Sequence, residues 1–460
     1  MKKFMGLMEK YLMPLAMKMA SNRHLNALKD GFVYTMPFLI IGSFVLLLVN
    51  LPFRDVNTPL YMKWYDNLMT AYKANLVQPF YVSMGIMSVF VAFGIGSSLA
   101  TQYKLNGTTG GFLSLFTFLL TAAKLEWAPI GGYQAAELLG NNDYLLNTFH
   151  QGSGWMPIMD ARYLDAKGLF TAIVGAFISI EIFRLLVSKK MTIKLPDSVP
   201  PAIAKSFELL TPIVAVILVF HPISLLVQKS REIFIPELLL EMFRPLVSAS
   251  DSLPAVIGIL LVVHILWFAG LHGVNVVVAI INPIILTNLA TNQAALQAGE
   301  KATKVLAGGF LDAFVYLGGA GATLGLAIAM FLSKKDHIKS IGKISLIPGL
   351  FNINEPIIFG ATIVMNPILF VPFIITPIIN ATIAWFAVKS GLVGHIVSLV
   401  PWTTPSPIGA LLATNFSMGA LILSVLLIGL SVIIYYPFLK VYEASLDREE
   451  AMELEAVKAD

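Results

Sequence analysis

The sequence predicts an all-α polytopic membrane protein with about ten transmembrane helices and two re-entrant hairpins, and three observations carry that prediction. Hydrophobic residues make up 57% of the chain and charged residues 13%, where soluble globular proteins carry about 25% charged. The apolar residues gather in runs long enough to cross a hydrocarbon core of about 30 Å, and Lys-rich stretches separate several of them. Two further runs are so interrupted by Pro and polar residues that they enter the membrane and turn back.

Met1 to Asp30 reads as an amphipathic, Met- and Lys-rich segment on the inner surface, because its apolar residues recur at helical spacing but are too interrupted to span. No small-residue cleavage site follows an apolar stretch there, so the segment is expected to be retained. Residues 31–53 cross outward, and 54–78 form a polar outer connection. Residues 80–103 return to the turn Lys104-Leu105-Asn106-Gly107, and 108–123 lead out again. Residues 124–167, acidic on balance and carrying Trp127 and Trp155, suit an outer loop. After the return over 168–187, the stretch from Ser188 to Pro201 concentrates cations and prolines and is the securest inner loop. A short amphipathic piece over 203–210 precedes a span over 212–227. The mixed-charge residues 229–251 then lie outside and mark a boundary between a first half, 1–245, and a second, 246–445.

In the second half, 254–270 come inward with Trp267 and reach Leu271-His272-Gly273-Val274-Asn275. Val276 to Ala290 is apolar but short and broken at Asn282-Pro283, and such segments build substrate sites in transporters. Residues 310–332 read as a span with Asp312 near its start and small residues from Gly318 to Ala322 that permit close backbone approach. Lys334, Lys335, Lys339 and Lys343 mark a second inner loop. The stretch Phe351-Asn352-Ile353-Asn354-Glu355-Pro356 and the run over 394–414, with Pro401-Trp402-Thr403, are the re-entrant pieces. Between and after them, 367–388 go out and 416–439 return to an acidic tail, 446–460, placing both termini in the cytoplasm.

The net charge of +4 comes from loop cations, and no basic stretch is interleaved with aromatics, so nucleic acid is not an expected partner. Cysteine is absent, which removes disulfides, thiolate metal sites and any thiol nucleophile. Neither a Walker phosphate loop nor a His-Glu-x-x-His helix is present, and no metal or cofactor is expected.

Polar groups crowd the second half. Glu355 is the least easily explained by structure, because an ionisable side chain at membrane depth costs a few kcal/mol and its default reading is functional. His272 with Glu355 can move a proton. Trp267 and Trp402 can stack on sugar faces, and Asn275, Asp312 and Asn352 can meet hydroxyls. Structural alternatives stand beside these: interface-belt anchoring for the two Trp, a backbone carbonyl for His272, a loop lysine for Asp312, and a solvated turn for Glu355.

The run Phe-Asn-Ile-Asn-Glu-Pro-Ile-Ile-Phe-Gly at 351–360 resembles the signature of membrane IIC components of the bacterial phosphoenolpyruvate-dependent sugar phosphotransferase system, lactose/cellobiose/diacetylchitobiose family. Residues 22–30, 193–200, 267–273, Leu311-Asp312, 318–325 and 401–403 are similar too, in the right order along nearly the whole chain. The resemblance implies a homodimeric, multi-pass permease of the bacterial cell membrane, dimerising through the first half and moving substrate through the second. It would carry a β-linked disaccharide inward and release it as the 6-phosphate. Because this chain has no Cys, the phosphorylated IIB is expected to be another polypeptide, with IIA upstream, and this chain carries no phosphorylated residue itself. By position, Glu355 matches the essential glutamate near the sugar 6-hydroxyl, His272 the pocket histidine, and Trp267, Asp312 and Trp402 sugar contacts; Asn275 and Asn352 rest on polarity alone. The rival functions are a proton-coupled secondary sugar transporter using Glu355 and His272, and a non-transporting membrane receptor.

Overall fold

The computed structural model describes residues 13–54, 56, 60–129, 155–193, 196, 207–363 and 366–459. In chain order its helices are α1 (Met13–Ala20), α2 (Arg23–Val49), α3 (Lys63–Leu76), α4 (Gln78–Tyr81), α5 (Met87–Gln102), α6 (Gly107–Ala122), α7 (Leu169–Ser188), α8 (Leu210–Arg231) and α9 (Ile235–Ser250). They continue as α10 (Leu253–Phe268), α11 (Gly273–Gln297), α12 (Phe310–Phe314), α13 (Leu324–Phe331), α14 (Asp336–Leu350), α15 (Glu355–Gly360), α16 (Pro367–Lys389), α17 (Ser406–Ala413) and α18 (Met418–Ala459). Among the described residues the strands are one antiparallel pair, β1 (Leu125–Pro129) with β2 (Trp155–Met159), which closes the base of the loop expected at 124–167. Residues 130–154 of that loop, and most of the cationic stretch from 194 to 206, lie outside the described residues.

Among the described residues, seven helices are long and apolar enough to cross a membrane, and eight spans result if the bent pair α9 and α10 counts as one. Helix α6 is apolar but shorter. The expected count of about ten came from hydropathy alone, and two runs behave differently from that reading. Residues 310–332 do not form one helix, because Gly318, Gly319, Gly321 and Ala322 all take positive φ and stop the helical ladder between α12 and α13. Conversely, the run expected to break at Asn282-Pro283 lies inside the continuous helix α11. Proline there removes one hydrogen bond, and the residue one turn earlier is the small Ala279; Thr287 meanwhile donates to the Pro283 carbonyl at 2.7 Å. Segments expected as loops also hold helices: α3 within 54–78, α9 within 229–251, and the start of α14 within 333–343. The C-terminal tail continues α18 as helix to Ala459.

The chain divides into two compact units, Gly85–Phe243 and a second that joins Met1–Met84 to Arg244–Asp460. Within the first, small residues set the packing of α5 on α6: a Cβ on Gly96 would stand 2.3 Å from the Ser114 Cβ, and one on Gly110 would stand 2.4 Å from that of Ala100. These helices therefore meet nearly backbone to backbone, and the Ser114 hydroxyl reaches across to the Ala92 carbonyl at 2.7 Å. Leu113, Phe183, Val216 and Phe220 from α6, α7 and α8 fill the adjoining core.

In the second unit, α2 runs against α11 through buried polar links. Gln293 donates to the Ser43 hydroxyl at 3.0 Å, and the Ser398 hydroxyl donates to the Ser43 carbonyl at 3.0 Å. Asn22 caps α2 by accepting from the backbone N–H groups of His24 and Leu25, so this helix begins eight residues before the span expected from Gly31. That extension brings the Lys29 turn into the same bundle as the start of α11.

Candidate functional site

The glutamate segment is shaped by its own backbone breaks. Helix α14 ends just after Pro348 and Gly349, Asn352 turns the chain at φ 62°, and Pro356 sits in the first turn of α15, where its missing N–H has no partner to lose. Glu355 opens that short helix and is exposed, while Ile357 and Ile358 behind it are buried.

Two asparagines fix the segment to the glycine turn between α12 and α13. The Asn352 carbonyl oxygen accepts from the Gly318 N–H and the Ser406 hydroxyl, both at 2.9 Å. Its amide donates to the carbonyls of Trp402 at 2.6 Å and Thr404 at 3.1 Å. Asn354 donates to the Ala320 carbonyl at 2.8 Å. The turn is held from its other side by the Gly321 N–H donating to His264 Nε2 at 2.9 Å and by the Tyr435 hydroxyl donating to the Gly321 carbonyl at 2.7 Å. His264 Nδ1 bonds the Leu260 carbonyl at 2.6 Å, so the ring is the neutral tautomer protonated at Nδ1.

A second group gathers at the corner between α10 and α11. His272 stands at the N-cap of α11, its Nδ1 accepting from the Asn275 N–H at 3.3 Å. Its ring lies 4.4 Å from that of Trp267 at an angle of 45°. Trp267 is only 5% exposed and borders a narrow apolar cleft with Phe268, Ile358, Ile363, Phe370 and Phe373. Its indole N–H has no acceptor among the described residues, an unusual state for a buried donor. The Glu355 carboxylate and the Lys29 ammonium both lie within Coulombic reach of His272.

The structure thus brings Glu355, His272, Trp267 and Asn275 to one neighbourhood, and ties Trp402 to it through Asn352. Asn352 is itself fully engaged by protein groups, so its part is to hold the Trp402 loop. The Trp402 ring is 54% exposed. Asp312 lies on α12, half-buried near Tyr316, and its carboxylate has no hydrogen-bond or ion-pair partner among the described residues; the loop lysine considered for it is not there. His264 and Tyr435 carry no signal in the sequence, since each sits in an apolar run where a polar ring reads as core. No group of His, Asp or Glu suited to a metal ion occurs among the described residues.

Residues 29–377 match the profile of the family described as phosphotransferase system, EIIC. The chain belongs to the phosphotransferase system EIIC family. This EIIC chain is 35% identical to the lichenan permease IIC component of Bacillus subtilis (strain 168), over 98% of this chain and 96% of the relative. It is 35% identical to the cellobiose-specific EIIC component of Geobacillus stearothermophilus, over 98% and 96%. Against the lactose-specific EIICB component of Staphylococcus aureus it is 34% identical, over 95% of this chain and 72% of that longer relative. Its fold is similar to the crystal structure of the transporter ChbC, the IIC component of the N,N'-diacetylchitobiose-specific phosphotransferase system. The TM-score is 0.85 at 35% identity, covering 97% of this chain and 99% of that one. The EIIC match includes His272, Asp312 and Glu355 and ends before Trp402.

Proposed function

We propose that this EIIC chain is the membrane permease for a β-linked disaccharide of the cellobiose, lactose or diacetylchitobiose type, and that it presents the sugar 6-hydroxyl to a separate phosphorylated IIB. The observation that carries the reading is Glu355 at the start of a short, Pro-broken helix within Coulombic reach of His272, whose ring packs on Trp267, a buried indole with no N–H acceptor among the described residues. Relatives named for lichenan, cellobiose and lactose, and a fold neighbour named for diacetylchitobiose, support the sugar class, since all four are β-linked.

In this reading the Trp267 N–H meets a sugar oxygen, the exposed Trp402 stacks on a ring face, and Asn275 and Asp312 supply further polar contacts. The 6-hydroxyl oxygen attacks the phosphorus of the IIB phosphocysteine. The O–P bond forms as the S–P bond breaks, the thiolate leaves with IIB, and the hydroxyl proton passes to Glu355. None of the residues in the sequence is a Cys, so in this reading the phosphocysteine is supplied by IIB, and IIA recharges it. Both termini are cytoplasmic, the protein is a homodimer paired through residues 1–245, and 246–445 carry the substrate. Helix α8, little of which is buried within the protomer, offers an apolar face to lipid or to the second copy.

The test is uptake by sealed vesicles of the purified chain. Sugar phosphate should form only when IIA, IIB and a phosphoryl donor are all supplied. Accumulation of unmodified sugar driven by a proton gradient would replace this reading with secondary transport, and uptake under no condition would favour a receptor.

A further inference from the structure

Beside His272 lies a cavity of about 160 Å³ lined by Asn26, Lys29, His272 and Asn275, with Met19, Leu25, Leu271, Val276 and Ala279 as its apolar walls. It arises because two helix faces meet: Leu25, Asn26 and Lys29 share one face of α2, and Asn275, Val276 and Ala279 share one face of α11, each set spaced i, i+1, i+4. Pockets that hold drug-sized ligands are roughly 300–1,000 Å³, so this one takes a small group and not a disaccharide. Its polar lining is one ammonium, two carboxamides and an imidazole. Because His272 Nδ1 accepts from the Asn275 N–H, the neutral ring carries its proton on Nε2, where it is a donor. Lys29 has a neighbour in Asp30 at 3.5 Å, but both side chains are about a third exposed, at 34% and 31%, and a pair of that kind binds the ammonium weakly.

We infer that this cavity is a phosphate subsite: it holds the phosphate monoester of the 6-phosphorylated disaccharide, with Lys29 as the cation that recognises it. The inference rests on the phosphotransfer reading above. His272 lies within Coulombic reach of both Glu355 and Lys29, so one imidazole links the carboxylate that faces the neutral hydroxyl to the ammonium that faces the charged product. Once the 6-oxygen carries a dianion, repulsion from Glu355 and attraction to Lys29 act in the same direction, from the first position toward the second. Lys29 is then a subsite residue that distinguishes product from substrate.

The experiment uses the full chain purified in detergent, titrated with cellobiose, cellobiose 6′-phosphate and inorganic phosphate. Lys29→Met should weaken cellobiose 6′-phosphate by about tenfold or more while cellobiose affinity stays within about twofold, and Lys29→Arg should restore the product affinity. Equal loss for both sugars, or no loss for either, overturns the proposal. If the unaltered protein binds neither sugar yet binds inorganic phosphate through Lys29, the sugar-permease reading fails and the phosphate subsite stands. A lipid headgroup could supply the same phosphate chemistry, so phosphatidylglycerol is titrated in parallel. Dependence on Lys29 for that lipid alone overturns the assignment to the sugar product.

Discussion

Asn352 donates to the carbonyl oxygen of Trp402 at 2.6 Å across 50 residues of sequence, and the same side chain accepts from the Gly318 N–H at 2.9 Å. One carboxamide therefore joins the glutamate segment, the tryptophan loop and the glycine turn. Asn352 also sits at φ 62°, a conformation that Asn and Gly tolerate better than other residues. Asn352→Gly keeps the backbone and deletes the bonds, and should lower stability by about 2–4 kcal/mol in thermal unfolding. Asn352→Asp keeps the two acceptor contacts but sets a carboxylate against two carbonyls, and should be at least as damaging. Wild-type unfolding in both variants would show that the network does not hold the loop.

Gly319 takes φ 97°, and a Cβ there would stand 2.5 Å from Asn354 Cγ. Gly319→Ala should reduce sugar uptake more than about tenfold through displacement of the Asn354-Glu355 pair. Gly258→Ala is the matched control, since among the described residues nothing beyond its own helix turn lies within 4 Å of the added methyl. Equal uptake by the two variants would remove the glycine turn from the site.

Glu355→Gln should bind disaccharide with near-normal affinity and slow its phosphorylation by about two to four orders of magnitude, the usual cost of losing a general base. Equilibrium binding and single-turnover phosphotransfer from IIB measure the two separately. Normal transfer by the variant would leave the carboxylate without a chemical role.

The two indoles should respond differently. Trp402 is exposed, so Trp402→Ala should weaken sugar binding about tenfold without changing the melting temperature. Trp267→Phe deletes a buried N–H that has no acceptor among the described residues, so removing it breaks no hydrogen bond to them. It should therefore leave stability little changed while lowering sugar affinity about five- to tenfold. A stability loss with unchanged affinity in both variants would return these residues to membrane anchoring.

Sidedness can be read by placing single cysteines in this Cys-free chain. Impermeant reagents should label Ser188→Cys and Lys335→Cys only from the cytoplasm, and Gly140→Cys, which lies outside the described residues, only from outside. Bound IIB should shield position 335 more than 188. Labelling of 335 from outside intact cells would invert the topology.

Much of this was legible in the sequence because membrane solvent imposes one dominant rule, and the Glu355 segment breaks it visibly. The order of that segment, Trp267 and His272 was legible as well. Hydropathy failed where backbone angles decide: it read 310–332 as a span because Gly and Ala are compatible with one, whereas Gly318, Gly319, Gly321 and Ala322 there all carry positive φ. It failed in the opposite sense at Pro283, where Ala279 one turn back and the surrounding helix absorb a residue that ordinarily signals a break. His264 was illegible for a third reason. Its partner is Gly321, 57 residues away, and no local pattern marks a histidine that bonds one carbonyl and one N–H inside the bundle.

Helix α18 is continuous for 42 residues, about 63 Å at 1.5 Å per residue, roughly twice the hydrocarbon thickness. Near the end of its apolar part, Glu443 accepts from the Ser333 hydroxyl, and Asp447 pairs with Lys335, so the loop before α14 is splinted to the rod. Tyr435, on the same rod, bonds the Gly321 carbonyl deep in the bundle. One helix thus ties the turn before α14 to the glycine turn in the bundle, two places otherwise separated along the chain.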